Sequence, residues 1–244
     1  MAAPVFWSGS AEIGVCLGKD WAMLMIQSRL HPNPTTRGLG IEPYSFSFLT
    51  GALYLPESLA VAGLARTRPD WAEVLHLASE DNLLKQRKDA SRTRLLREIR
   101  YRLQQLSREE LVFLCEASAR DQRQLLFVAI CRRFRFIREF IEEVVRPKLM
   151  TFNIQLYPAD FARFFDRKAS ESPEVDKLTA KSIAKIKQVL VRMLAEAGLL
   201  DSTASQRIVR PVPSKELFTL IARTDPLNLR CLLLSDADIR QLTT

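Results

Sequence analysis

The chain has 244 residues, of which 47% are hydrophobic, 26% charged and 8% aromatic. That profile belongs to a globular protein with enough apolar side chains for one large core or two small ones, and it excludes fibrous, collagen-like and disordered readings. Thirty-six basic residues against 28 acids leave a net charge of +8, so an anionic partner is the first expectation.

Cys16, Cys115, Cys131 and Cys231 are scattered, mostly within apolar stretches. Such spacing suits neither a disulfide framework nor a zinc module and fits a reducing, cytoplasmic setting. No basic start leads into an apolar run, so no secretory leader is expected. The most apolar long stretch, 125–145, is cut by Arg132, Arg133, Arg135 and Arg138, which a bilayer centre disfavours. A membrane partner is therefore not expected.

Residues 1–43 hold five of the eight glycines and four of the twelve prolines, and their charges cancel. They read as a weakly ordered extension, with Met23 and Met25 as alternative starts. Beyond Tyr44 the texture changes: no glycine occurs between Gly63 and Gly198, and apolar residues recur every three or four positions. This predicts a mainly α-helical protein with helices over 56–65, 70–79, 91–106, 109–117, 121–145, 158–168, 173–177, 180–197 and 215–222. Ser107 with Glu110, and Ser118 with Asp121, have capping-box spacing. Ser172 before Pro173 reads as a cap, and Gly198 as the left-handed stop of 180–197.

The positive surplus is local. Between Lys85 and Arg102 eight basic residues face two acids, a net of +6 in eighteen positions. On a helix there, Leu95, Leu96, Ile99, Leu103 and Leu106 form an inward stripe, while Arg94, Arg97, Tyr101 and Gln104 share the other face, with Arg92 and Arg100 beside them. Guanidinium groups pair with phosphates or read guanine, and glutamine reads adenine. With the preceding helix 70–79 this makes a helix-turn-helix whose link, 80–90, is longer than usual.

The region 158–197 repeats the pattern as three successive helices. In the third, Lys181, Lys185, Gln188 and Arg192 point out, and Ile183, Ile186, Leu190, Met193, Leu194 and Ala197 point in. A short β-hairpin, 199–200 against 207–210, follows and carries Arg207 and Arg210. Three helices and a hairpin are the order of a winged helix. The expected organisation is therefore an extension at 1–43, a helical domain at 44–150 and a winged-helix-like domain at 151–244. Both basic faces also admit a plainer role, as solvated surfaces or docking sites for acidic proteins.

Catalytic signals are thin. His31 falls in the extension, and His76 lies alone on a short helix. No phosphate-binding glycine loop occurs, and Asp160 with Asp166 to Lys168 only faintly mimics a metal-dependent nuclease. Phe161, Phe164 and Phe165 read as packing. Neither a catalytic residue, a metal, a cofactor nor a small-molecule substrate is expected.

The runs 44–53 (YSFSFLTGAL), 123–131 (RQLLFVAIC), 160–165 (DFARFF) and 185–200 (KIKQVLVRMLAEAGLL) resemble the BrxA family. That family is the small accessory component of BREX, the bacteriophage-exclusion defence system of bacteria and archaea, and the similarity extends over 44–234. The resemblance implies a non-enzymatic helical protein with helix-turn-helix or winged-helix-like parts, which binds double-stranded DNA alongside other BREX proteins. It supplies no active-site residues. Two other functions stay open at this point: a protein–protein adaptor and a helical RNA-binding factor.

Overall fold

A computed structural model of the chain describes residues 43–243; the expected extension, with His31 and Cys16, lies outside them. The described residues are mainly helical. In chain order the helices are α1 (Leu55–Ala65), α2 (Trp71–Glu80), α3 (Asp89–Leu103), α4 (Arg108–Glu116), α5 (Ala119–Arg133), α6 (Arg135–Phe140), α7 (Arg146–Met150), α8 (Pro158–Glu171), α9 (Pro173–Asp176), α10 (Ala180–Glu196), α11 (Lys215–Thr224) and α12 (Asp236–Thr243). Short 3₁₀ segments precede α1 (Ser47–Thr50) and follow α11 (Pro226–Leu232). None of these helices is long and apolar enough to cross a membrane.

Several ends form as their residues dictate. Ser107 and Glu110 make a reciprocal capping box at α4. Ser118 caps α5 by accepting from the Asp121 amide, but Asp121 takes the Ser118 hydroxyl instead of reaching back to the backbone. Ser172 makes no side-chain cap for α9; its hydroxyl donates to Glu174. Gly198 ends α10 at φ 79°, with Leu199 N bonding to Leu194 O at 2.9 Å and Gly198 N to Ala195 O at 3.1 Å, a Schellman turn.

The expected single helix over 121–145 is instead broken. Phe134 adopts an extended conformation (φ −116°, ψ 95°) between α5 and α6. Its ring is buried against Phe48, centroids 5.2 Å apart, and the bend lets Phe136 reach Phe46, Phe164 and Phe165, each at 5.1 Å. A single π-type turn, Ile141–Val145, then leads into α7 just before Pro147, whose ring and missing N–H an unbroken α-helical ladder would not accommodate.

The core is one connected apolar cluster reaching from Tyr44 to Ile239. Its centre is α5, where Leu125 to Cys131 are wholly buried and pack on α3, α4 and the 226–232 segment. A second aromatic layer joins α6 to α8, with Phe140 stacked on Phe161 at 4.5 Å, so the phenylalanines of α8 are packing residues. Buried charges are paired. Arg102, wholly buried, bonds to Glu98 at 2.9 Å and to the carbonyls of Ala52 and Leu53. Lys168 bridges Glu139 and Glu143 at 2.7 and 2.8 Å, and the Tyr44 hydroxyl donates to Glu139 at 2.5 Å.

Three extended pieces form a small antiparallel ladder. Ile208 N bonds to Ile154 O (2.7 Å) and Leu156 N to Gln206 O (3.2 Å), while Val209 N bonds to Leu199 O (2.9 Å) and Asp201 N to Arg207 O (3.0 Å). The hairpin expected between 199–200 and 207–210 is present as the Leu200–Ile208 bridge, and an unforeseen third piece pairs Gln155 with Arg207. The middle piece is the last in sequence. Among the described residues no pairing extends beyond such bridges into a full strand.

Candidate nucleic-acid interface

α3 turns its apolar stripe inward: Leu95, Leu96, Ile99 and Leu103 are buried, as is Leu106 just beyond it. Arg94 and Gln104 are exposed, and Arg97, Arg100 and Tyr101 half-buried, on the outward side. Among the described residues, Arg94, Arg97 and Arg100 meet no carboxylate within ion-pair distance, whereas Arg92 is paired to Asp89 at 2.8 Å. Arg102, part of the same basic run, points into the core, so the +6 of the segment overstates its outward charge.

A residue not singled out in the sequence completes this face. Arg133, the last residue of α5, places its guanidinium over the Tyr101 ring at 5.1 Å, where Arg100 also lies at 4.6 Å. The Phe134 break ends α5 at this point and turns the chain away. Like charges gathered with no carboxylate among them form a surface suited to a polyanion.

α10 gives the second face. Ile186, Leu190, Met193, Leu194 and Ala197 are buried and Ile183 half-buried, while Lys181, Lys185, Gln188 and Arg192 are exposed. Lys185 donates to Gln188 at 3.1 Å. Arg192 is paired with Glu196 at 2.8 Å, and Glu196 also accepts from Leu53 N at 2.7 Å. On the ladder Arg207 is exposed, and Arg210 is exposed but paired with Asp238 at 2.5 Å. Of the twelve residues expected to touch nucleic acid, three arginines (Arg92, Arg192 and Arg210) thus carry a carboxylate partner. The turn 201–205 is held by Asp201, whose carboxylate accepts from the amides of Ser202 and Arg207.

Asp160, from the faint nuclease-like set, and the buried Glu110 both have structural work. Asp160 accepts from Tyr157 N and pairs with Lys148 (3.0 Å) and Arg163 (2.6 Å); burial pushes its pKa up, but these bonds outweigh it and hold it below the ordinary value. Glu110 is clamped by Arg132 at 2.7 and 2.8 Å. His76 is exposed on α2. Cys115, Cys131 and Cys231 are free thiols, and among the described residues no group of three or more potential ligands could hold a metal.

Residues 42–225 match the family model described as BrxA. The chain is 31% identical over 157 residues to the "BREX protein BrxA" of Escherichia coli O9:H4 (strain HS), spanning 63% of this chain and 72% of that one. It is 32% identical over 93 residues to the protein of the same description from Bacillus cereus (strain H3081.97), 38% of this chain and 46% of that one. A solved structure, the crystal structure of an uncharacterized protein from Magnetospirillum magneticum, shares the fold with a TM-score of 0.68, covering 78% of this chain and 98% of that one at 22% identity.

Proposed function

Because the chain belongs to the BrxA family, we propose that it is a non-enzymatic cytoplasmic component of a BREX phage-defence assembly that engages duplex DNA mainly through phosphates, beside other BREX proteins. Contact is made by a helix-turn-helix formed from α2 and α3 within 44–150, and by a winged-helix-like part within 151–244. The observation that carries this reading is the group Arg94, Arg97, Arg100 and Arg133, cations of this face with no carboxylate within ion-pair distance among the described residues, two of them set over the Tyr101 ring. The ladder adds support to the winged-helix reading. Its third piece pairs between the first two, three helices separate the first from the second, and a short turn bearing the wing follows α10.

Phosphate contacts carry no base information, so binding should be tolerant of sequence and sensitive to salt. Fluorescence anisotropy with unrelated duplexes tests this. The double variant Arg94→Glu, Arg97→Glu should weaken all of them alike, and unchanged affinity would remove α3 from the site. A complex with partner proteins that survives nuclease treatment while the purified chain fails to bind duplex would favour the adaptor function instead.

A further inference from the structure

Helix α7 ends in the same hydrogen-bonded turn as α10. Asn153 N bonds to Lys148 O at 2.9 Å and Phe152 N to Leu149 O at 3.1 Å, the counterparts of the Leu199 and Gly198 bonds that close α10. In α10 the left-handed position is held by Gly198; in α7 it is held by Phe152, at φ 59°. A side chain with a Cβ is a poor occupant of that conformation. Other non-glycine residues at positive φ have compensation: Tyr54 packs on the core, Leu233 is fully buried, and Asn82, Lys85 and Gln206 are polar. Phe152 has a disfavoured backbone and a ring 90% exposed, so the fold gains little from either.

The ring stands on a firm base, because the Thr151 hydroxyl bonds back to the carbonyls of Pro147 (3.0 Å) and Lys148 (3.2 Å). Directly after it the chain enters the ladder, where Ile154 and Gln155 lie against Ile208 and Arg207. Phe152 therefore sits at the end of the ladder toward which the middle piece runs from the exposed Arg207 to the part-exposed Val209 and to Arg210, which is paired with Asp238. Apart from Met150, its exposed neighbours along the chain, Thr151 and Asn153, are polar. Protein-docking sites present a contiguous apolar patch. A ring far more exposed than its apolar neighbours Met150 and Val209, on a ladder whose exposed Arg207 has no ion pair among the described residues, fits insertion against a base, where aromatic side chains wedge into or stack on unstacked nucleotides.

We infer that Phe152 stacks on an unstacked nucleobase at the edge of the bound DNA, an inference that rests on the DNA-binding reading above. The test compares a fully paired duplex with the same duplex carrying one unpaired adenine, by anisotropy at fixed salt. The wild type should prefer the bulged probe about tenfold. Phe152→Ala and Phe152→Gly should erase that preference and leave paired-duplex binding in place, and Phe152→Trp should keep it. Phe152→Gly should also raise the melting temperature by about 2–4 °C, since it relieves the left-handed strain.

Equal affinity of the wild type for both probes overturns the inference, as does a preference that survives Phe152→Ala. A Phe152→Gly protein that melts earlier than the wild type overturns it too, because the ring would then be structural. Loss of a nuclease-resistant complex with partner proteins, with DNA binding intact, makes Phe152 a protein contact and likewise refutes the inference. Failure of the wild type to bind either duplex at low salt sinks the DNA-binding reading itself.

Discussion

The steepness of salt dependence follows from counting the unpaired outward cations. Arg94, Arg97, Arg100, Arg133, Lys181, Lys185 and Arg207 have no carboxylate partner among the described residues, whereas Arg92, Arg192 and Arg210 do. At roughly 0.9 counterions released per phosphate contact, seven contacts give a slope of log affinity against log salt near −6. Raising salt from about 50 to 200 mM should then weaken binding by between three and four orders of magnitude. Arg94→Glu with Arg97→Glu should flatten the slope by about 2. Asp89→Asn, which frees Arg92 from a carboxylate that is 86% exposed, should steepen it by up to about 1. Anisotropy titrations at four or five salt concentrations measure all three proteins. A wild-type slope shallower than about −3, or one untouched by the double substitution, refutes the assignment of these side chains to phosphates.

Arg102→Met leaves Glu98 buried and unpaired and should cost about 3–5 kcal/mol of stability by urea unfolding, with much of the loss recovered when Glu98→Leu is added. Gly198→Ala should destabilise by about 1 kcal/mol, since φ is 79° and nothing lies within 4 Å of the new Cβ, so the cost is conformational. The same change at Gly63, inside α1 and equally uncrowded, should stabilise by up to about 1 kcal/mol; calorimetry shows whether the two shifts have opposite sign. The network around Lys168 predicts a pH window. Burial opposes ionisation of Glu139, yet the bonds from Lys168, Tyr44 and Arg135 hold its pKa below the ordinary 4.5, so its stabilisation is present above that value and is lost as pH falls through the folded pKa. Burial lowers the Lys168 pKa, but Glu139 and Glu143 outweigh it and raise the pKa above 10.5, and burial with the Glu139 bond raises Tyr44 from 10.0 to about 12. Both stabilisations are complete below about pH 10 and are lost at higher pH as each group deprotonates. Urea midpoints against pH should fall at both extremes, and Lys168→Met should blunt both limbs.

Helix positions and inward faces were readable from the sequence because 3.6-residue periodicity is a local property. Leu95, Ile99, Leu103, Ile186 and Leu190 all lie where spacing puts them. The break at Phe134 was not readable, because 125–145 is apolar on nearly every side and one extended residue leaves no trace in such a pattern. Arg102 and Glu98 are visible as an i, i+4 pair, but nothing in their spacing says that the pair is wholly buried. The outward placement of Arg94, Gln104, Lys181, Lys185 and Gln188 was legible. The neutralisation of Arg210 was not, because Asp238 lies 28 residues away, and neither was Arg133, which reaches Tyr101 only through tertiary packing. Phe152 carries no local signal either, since Thr151 and Asn153 flank it without a glycine to mark the turn.

The ladder also constrains how the protein is made. Its first piece leaves the ribosome about 50 residues ahead of the partner it needs, and the second piece pairs with that same late arrival. During synthesis the backbone edges near Ile154 and Leu200 therefore wait unpaired until Gln206 to Val209 emerge. Truncation or stalling before that point should yield chains whose helices are formed but whose exposed edges recruit one another, giving aggregates where the finished protein stays dispersed.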